Sequence, residues 1–323
     1  MLRYKADYRS IAFMIVTTGL FIAQWIVGEI HPVLFPLSLF MAVSVAVMAH
    51  NHNHLPMWRS KPMNVLTDYW LTLFYGFPAF AWKPTHNMNH HVLNNREGDY
   101  TITWRYSEGN NFLTLMSYPS ISSFFQQTPI KQYLKDLKAK DPRAFRLAIG
   151  QYVALALFIG GGLIIDWQKA LLFIVIPQQF ALFSILLFNY VQHVHAEEES
   201  EWNHSRNFVG PMLNLFLFNN GFHTIHHERA GIHWSKTPEE HARIDHLIDD
   251  SLKERSFWWY MIRVYILSPV FPRFRTRSMR LERILRQESE ARQAAAAAQK
   301  GKGVDEETRP VHDGSLTESQ VPA

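Results

Sequence analysis

"VLFPLSLFMAVSVAVMAHNHNH", residues 33–54, decides the reading of this chain. Seventeen residues, 33–49, are almost wholly apolar, and three histidines follow at once, at His50, His52 and His54. A run of this kind approaches the roughly 20 residues that carry a helix across a bilayer. Imidazoles placed where it ends would lie at the water interface. Working outward, three more apolar runs appear: 11–28 before it, and 147–165 and 170–188 after it. The short turns "EIHP" (29–32) and "DWQK" (166–169) join them into two hairpins. One such run alone reads equally well as a buried soluble helix, but two hairpins of them do not. Mean hydropathy is low for a membrane protein because about half the chain is polar and lies between or after the runs.

The basic residues orient the hairpins. Arg3, Lys5 and Arg9 precede the first run. The segment 50–146 holds Arg59, Lys61, Lys83, Arg96, Arg105 and the lysines of "KQYLKDLKAK", whereas the two turns hold only Lys169. Positive residues stay inside, so both termini and 50–146 are expected in the cytoplasm, at a bacterial inner membrane. No small-residue cleavage pattern follows the first run before the second, which argues against a signal peptide. Residues 1–286 read as one integral-membrane domain. Residues 287–323, small, charged and poor in apolar bulk, read as a helix end followed by disorder.

Composition narrows the chemistry. Of 323 residues none is cysteine and 17 are histidine. Disulfides, thiolate metal sites and cysteine-held clusters are excluded. The formal net charge of +4 is mild and gives a nucleic-acid partner no support. It fits anionic membrane lipid or an acidic protein better.

The histidines cluster at "HNHNH" (50–54), "HNMNHH" (86–91), "NYVQHVH" (189–195) and "GFHTIHH" (221–227), all on the expected cytoplasmic side. At α-helical pitch, residues four apart lie about 40° apart on one face. That pairs His50 with His54, His86 with His90, and Asn189 with His193, and leaves His91 turned aside as a bridge to a neighbouring group. His223, His226 and His227 fit an arc of about 100°. His52 and His195 point away from their neighbours. The expected ligands are therefore His50, His54, His86, His90, His91, His193, His223, His226 and His227, with Asn189 as a weaker tenth. Neutral imidazole suits iron, copper, nickel and zinc. Nine ligands suit two ions; a single zinc would take three or four. A ferritin-like centre would need two Glu-x-x-His motifs, and only "EWNH" (201–204) fits. The other eight histidines, His204 and His241 among them, read as interfacial or surface side chains.

His-x3-His, His-x3-His-His and His-x2-His-His, with membrane hairpins between them, resemble the membrane fatty acid desaturase superfamily over roughly residues 10–270. That superfamily includes alkane and sterol hydroxylases and carotenoid-modifying enzymes. Asn189-x3-His193 resembles the additional ligand motif of stearoyl-type desaturases and alkane hydroxylases. "GFHTIHHERAGIHWSKTPEEH" looks like the last box of bacterial desaturases, while the second box and "NYVQH" look closer to the alkane hydroxylase branch. The resemblance implies an all-α integral membrane protein. Four transmembrane helices would form two hairpins under a cytoplasmic helical cap that holds two iron ions, with O2 as co-substrate. It implies a desaturase acting on a lipid acyl chain, or alternatively a hydroxylase of an alkyl chain or terpenoid. The chain lacks the His-Pro-Gly-Gly haem motif and the cysteines of a fused rubredoxin. Electrons must then come from a separate ferredoxin-, rubredoxin- or cytochrome b5-like protein. The substrate channel is expected to draw lining residues from 68–82 and 257–262, stretches that read equally as an interfacial aromatic belt. Asp99, Glu197, Glu198, Glu199 and Glu228 follow the boxes and are candidates to orient ligand rings. A metal transporter would put ligands inside the spans, where His, Asp and Glu are nearly absent.

Overall fold

The computed structural model describes the backbone of residues 1–307 and the side chains of residues 1–298. Four helices are long and apolar enough to cross a membrane: Lys5–Val27, Leu34–His54, Pro142–Ile165 and Trp167–His193. Together with the helices between them they make six main elements: α1 (Tyr8–Val27), α2 (Leu34–His54), α3 (Lys61–Tyr75), α4 (Phe112–Lys140), α5 (Pro142–Ile165) and α6 (Trp167–His193, with a π-helical stretch at Leu171–Val175). Among the described residues the only sheet is a two-residue parallel pairing, Asn207–Phe208 against Lys253–Glu254.

Local chemistry sets the helix ends. α1 stops at Gly28, whose φ of 81° is left-handed and whose N–H closes on the Gln24 carbonyl. α2 ends at Leu55, an extended residue forced by the proline that follows it. Asn111 caps α4 reciprocally with Thr114. Asp141 and Asp166 cap α5 and α6 through their carboxylates. Lys169, in the second turn, donates to the Trp25 carbonyl at the end of α1 (2.9 Å). The two hairpin turns therefore lie side by side, and the opposite ends of α2 and α6 carry histidines.

α2 packs against α1, α3 and α6. It is buried all round from Met41 to His50, as befits a helix at the centre of a bundle. Both histidine-bearing helices run on past their apolar runs, α2 to His54 and α6 to His193. The backbone hydrogen bonds simply continue, so the last turn of each lifts histidines clear of the apolar stretch on a rigid support.

Residues Met1–Ser278 form one compact unit, and the described residues from Met279 on belong to a second. The second is helical from Met279 to Glu307. The tail expected over 287–323 is thus helical as far as Glu307, and its remainder, 308–323, lies outside the described residues.

Candidate metal centre

Four elements deliver the histidines. The end of α2 carries His50 and His54, and the end of α6 carries His193. A helix at His223–Glu228 carries His223, His226 and His227. Gly221 starts that segment and has no room for a side chain: a Cβ there would lie 2.1 Å from the Phe208 carbonyl oxygen. Thr224, fully buried, is anchored by its N–H to Asn207 Oδ1 (3.0 Å) and by its hydroxyl near Asn207 and Ser205. The fourth element departs from expectation. Residues Lys83–His90 wind as a π-helix, and the His91 N–H reaches the His86 carbonyl, five residues back. His86 therefore stands with His91 and not with His90. Such π-turns concentrate at functional sites.

The nine rings divide into five and four. His50, His54, His86, His91 and His226 form one group, and His90, His193, His223 and His227 the other. In the first group four Nε2 atoms close a ring of contacts: His50–His86 2.8 Å, His86–His91 3.0 Å, His91–His226 3.0 Å and His226–His50 3.0 Å. The His54 ring lies beside all four, its centroid 4.6–5.0 Å from theirs. In the second group, contacts of 3.1, 2.9 and 3.2 Å join His90, His193, His223 and His227 in turn. Nitrogens about 2.1 Å from one ion lie about 3.0–3.4 Å apart, so each group has the spacing of donors that converge on one ion.

For His90 and His193, hydrogen bonds on the far side of the ring fix which nitrogen faces inward. The His193 Nδ1–H donates to the His204 carbonyl (3.1 Å). The His90 Nδ1–H donates to Asp99 Oδ2 (2.7 Å). Asp99 is fully buried and also accepts from the Asn95 N–H and from the N–H and hydroxyl of Thr101. Burial alone would push its carboxyl up; His90 and the Thr101 donors overcome this and hold it below the usual carboxylate range. With Nδ1 protonated, each neutral ring presents a bare lone pair on Nε2. Two such lone pairs face each other 3.1 Å apart between His90 and His193. They cannot bond each other, but they can share a cation. The Nε2 of His54 is likewise buried with no hydrogen-bond partner. Burial first, and neighbouring histidines second, depress His86, His91, His223, His226 and His227 below the ordinary imidazole range. Neutral imidazole is the metal-binding form.

The Asn189 amide donates to the Tyr118 hydroxyl (2.6 Å), and its side chain lines a cavity shared with His50, His86 and His223. His195 does not continue α6. Its φ is 64°, and its two nitrogens contact the Glu108 carbonyl and Thr276 Oγ1, both at 2.7 Å. Of the acidic candidates, Asp99 holds a ligand ring, Glu228 lies 3.4 Å from His204, and Glu199 pairs with Arg96 at the surface. The surface reading fails for four histidines. His52 is buried near Asp68, His204 is buried beside His227, His233 is buried against Asp7, and His241 is buried under Phe222. Nothing in their spacing signals this, because the partners come from distant segments. Arg206 is another buried group that spacing does not reveal. It is 1% exposed and donates to the Val191 and Val194 carbonyls, closing the end of α6 next to His193.

A cavity of about 670 Å³ reaches His50 and His86 of the first group and His223 of the second. Tyr75, Gly76, Phe77, Ala81 and Trp82 line it, all within the expected stretch 68–82. The other expected stretch, 257–262, does not line it. There Phe257 and Tyr260 are buried in the core and Trp258 and Trp259 are exposed. The remaining walls come from α4 and α6.

A family model described as "Fatty acid desaturase" matches residues 24–258. A search of the curated proteins found no match.

Proposed function

The chain belongs to the fatty acid desaturase family, and from that premise we propose that it is an oxygen-dependent, two-iron desaturase of a lipid acyl chain. One iron would be held by His50, His54, His86, His91 and His226, the other by His90, His193, His223 and His227. The observation that carries this reading is the pair of inward-facing imidazole groups opening on one cavity beside four apolar helices. Iron bound there supplies the redox chemistry that uses O2 to break an unactivated C–H bond.

The chain's own residues do the rest. Asp99 and the His204 carbonyl hold the His90 and His193 rings in one tautomer. Phe77, Trp82, Leu182, Phe183 and Leu186 give the acyl chain an apolar wall and exclude water. The Asn189–Tyr118 pair stiffens the wall where α6 meets α4.

The histidine-bearing face is read as cytoplasmic, because the basic residues lie on that side of the spans and the turns carry only Lys169. Electrons come from a separate ferredoxin-, rubredoxin- or cytochrome b5-like protein. Lipid profiling of a host with and without the gene, alongside iron analysis of the active protein, tests the proposal. New double bonds and about two irons per chain support it. New hydroxyl groups would assign the chain to the hydroxylases instead, and one ion or none would end the two-iron reading.

A further inference from the structure

The cavity has a polar end that the proposed reaction does not use. Away from the histidines it is bounded by Ser123 and Gln127 on α4 and by Gln179 on α6. Ser123 and Gln179 are exposed, so the cavity opens sideways at this rim between the two helices. Gln179 is the thirteenth of the 27 residues of α6. At 1.5 Å per residue it lies about 20 Å from either end of that helix, inside its apolar run, and its neighbour Gln178 donates to the Leu73 carbonyl of α3, so part of the segment between the hairpins dips to this level from the histidine side. Its amide makes no hydrogen bond among the described residues. The buried glutamines of the spans each bond a neighbour: Gln24 to Leu20, Gln151 to Thr72 and Phe80, Gln178 to Leu73, and Gln192 to Asn220. Gln127 has only a long bond to the Ser123 carbonyl (3.4 Å).

A polar group at that depth is costly, and such groups mark binding paths. No Asp, Glu, Lys or Arg lines the cavity. A carboxylate or phosphate would find no counter-charge inside it, whereas an uncharged group would find amide donors and acceptors. A pure hydrocarbon would leave the amides unserved.

Resting on the reading that the histidine groups oxidise the chain, we propose that Gln127 and Gln179 form a subsite for an uncharged hydrogen-bonding group, a hydroxyl or carbonyl, on a bilayer-dissolved chain. The substrate enters sideways between α4 and α6. Its polar group is held at Gln179, and the chain extends to the level of Asn189. Ten residues of helix separate those levels, about 15 Å. The position of attack is then measured from the polar group and not from an ionic head at the water surface.

Binding tests this without turnover. The iron-loaded protein in lipid nanodiscs is titrated with radiolabelled 1-hexadecanol, hexadecane and palmitate. The alcohol is expected to bind tightest. Gln179→Leu combined with Gln127→Leu should weaken the alcohol about tenfold, the worth of one or two hydrogen bonds, and leave hexadecane unchanged. Gln179→Asn should recover part of the loss. Unchanged iron content shows that the variants are folded; if the double variant loses iron, Gln179→Met alone is read in the same way. Equal binding of alcohol and alkane, tighter binding of palmitate, or an equal loss for all three ligands overturns the subsite. If the alcohol preference holds but lipid profiling finds no oxidised product, the subsite stands and the desaturase reading falls.

Discussion

His90 and His91 are neighbours in sequence and serve different groups. Single residues here act through the atom they turn inward, and that depends on what holds the other side of the ring. Asp99→Asn removes the negative charge beside His90 Nδ1 and turns one of two accepting oxygens into a donor, so the bonds to His90 and Thr101 cannot both be kept. Iron affinity should fall about 10- to 100-fold, as measured by chelator competition. Glu199→Gln, at a surface ion pair, should change nothing. His193→Ala should cost iron and activity, whereas His195→Ala should be mild, since its nitrogens are engaged by Glu108 and Thr276; equal damage would refute that assignment. pH provides a further test. His86, His91, His223, His226 and His227 have depressed values from burial and mutual repulsion. In the unfolded chain each takes a proton near pH 6.5. Below that pH the unfolded state binds more protons than the folded one, so stability falls as pH falls. Melting temperatures of the metal-free protein should drop steadily from pH 7.5 to 5.5, and a flat profile would show that the rings protonate freely when folded.

At the scale of elements, the site depends on how four short segments end or wind. The π-turn at Lys83–His90 adds a residue to the repeat and sends His86 and His91 to one group and His90 to the other. The His223–Glu228 helix is set by the tight approach at Gly221. Gly221→Ala should force that segment away from Phe208, at a cost of about 1–3 kcal/mol, and should lower iron content with it. Gly160→Ala, on α5 with open space around the new Cβ, should be neutral or stabilising by up to about 1 kcal/mol. Thermal stability and iron per chain, measured on both variants, check the contrast. Loss of iron in Gly160→Ala would point to a general effect of altering the bundle.

For the whole molecule, the histidine ends of α2 and α6 must share one side of the membrane, and the turns at 28–33 and 166 the other. A reporter fused after residue 166 should read as outside the cell, and reporters after 146 and 286 as cytoplasmic. Opposite readings at 146 and 286 would separate the boxes and defeat the proposed site. Arg273 and Arg275 are exposed on a loop whose Thr276 bonds His195, two residues from His193. An acidic donor would be steered to such a face. Its reduction of the enzyme should slow as salt rises and the Debye length contracts to about 3 Å at 1 M; a rate indifferent to salt would exclude steering.

Residue order alone was enough for the spans, the hairpins and the histidine clusters. Those properties are local: an apolar run, a turn and a cluster just past the run each lie within one segment. The i, i+4 rule also served for His50 with His54, because α2 continues as a regular helix to that point. His86 and His90 do stack, their ring centroids 5.2 Å apart, but the rule did not reveal that they join different groups, because the backbone there winds as a π-helix. The division of nine rings into five and four, the choice of Asp99 over Glu199, and the burial of His204 behind His227 were not legible. Each depends on where separate helices cross, and side chains from distant segments meet only after packing has set those crossings. The cavity is of the same kind. Half of its expected lining was correct, but its polar rim between α4 and α6 exists only because those two helices pack side by side.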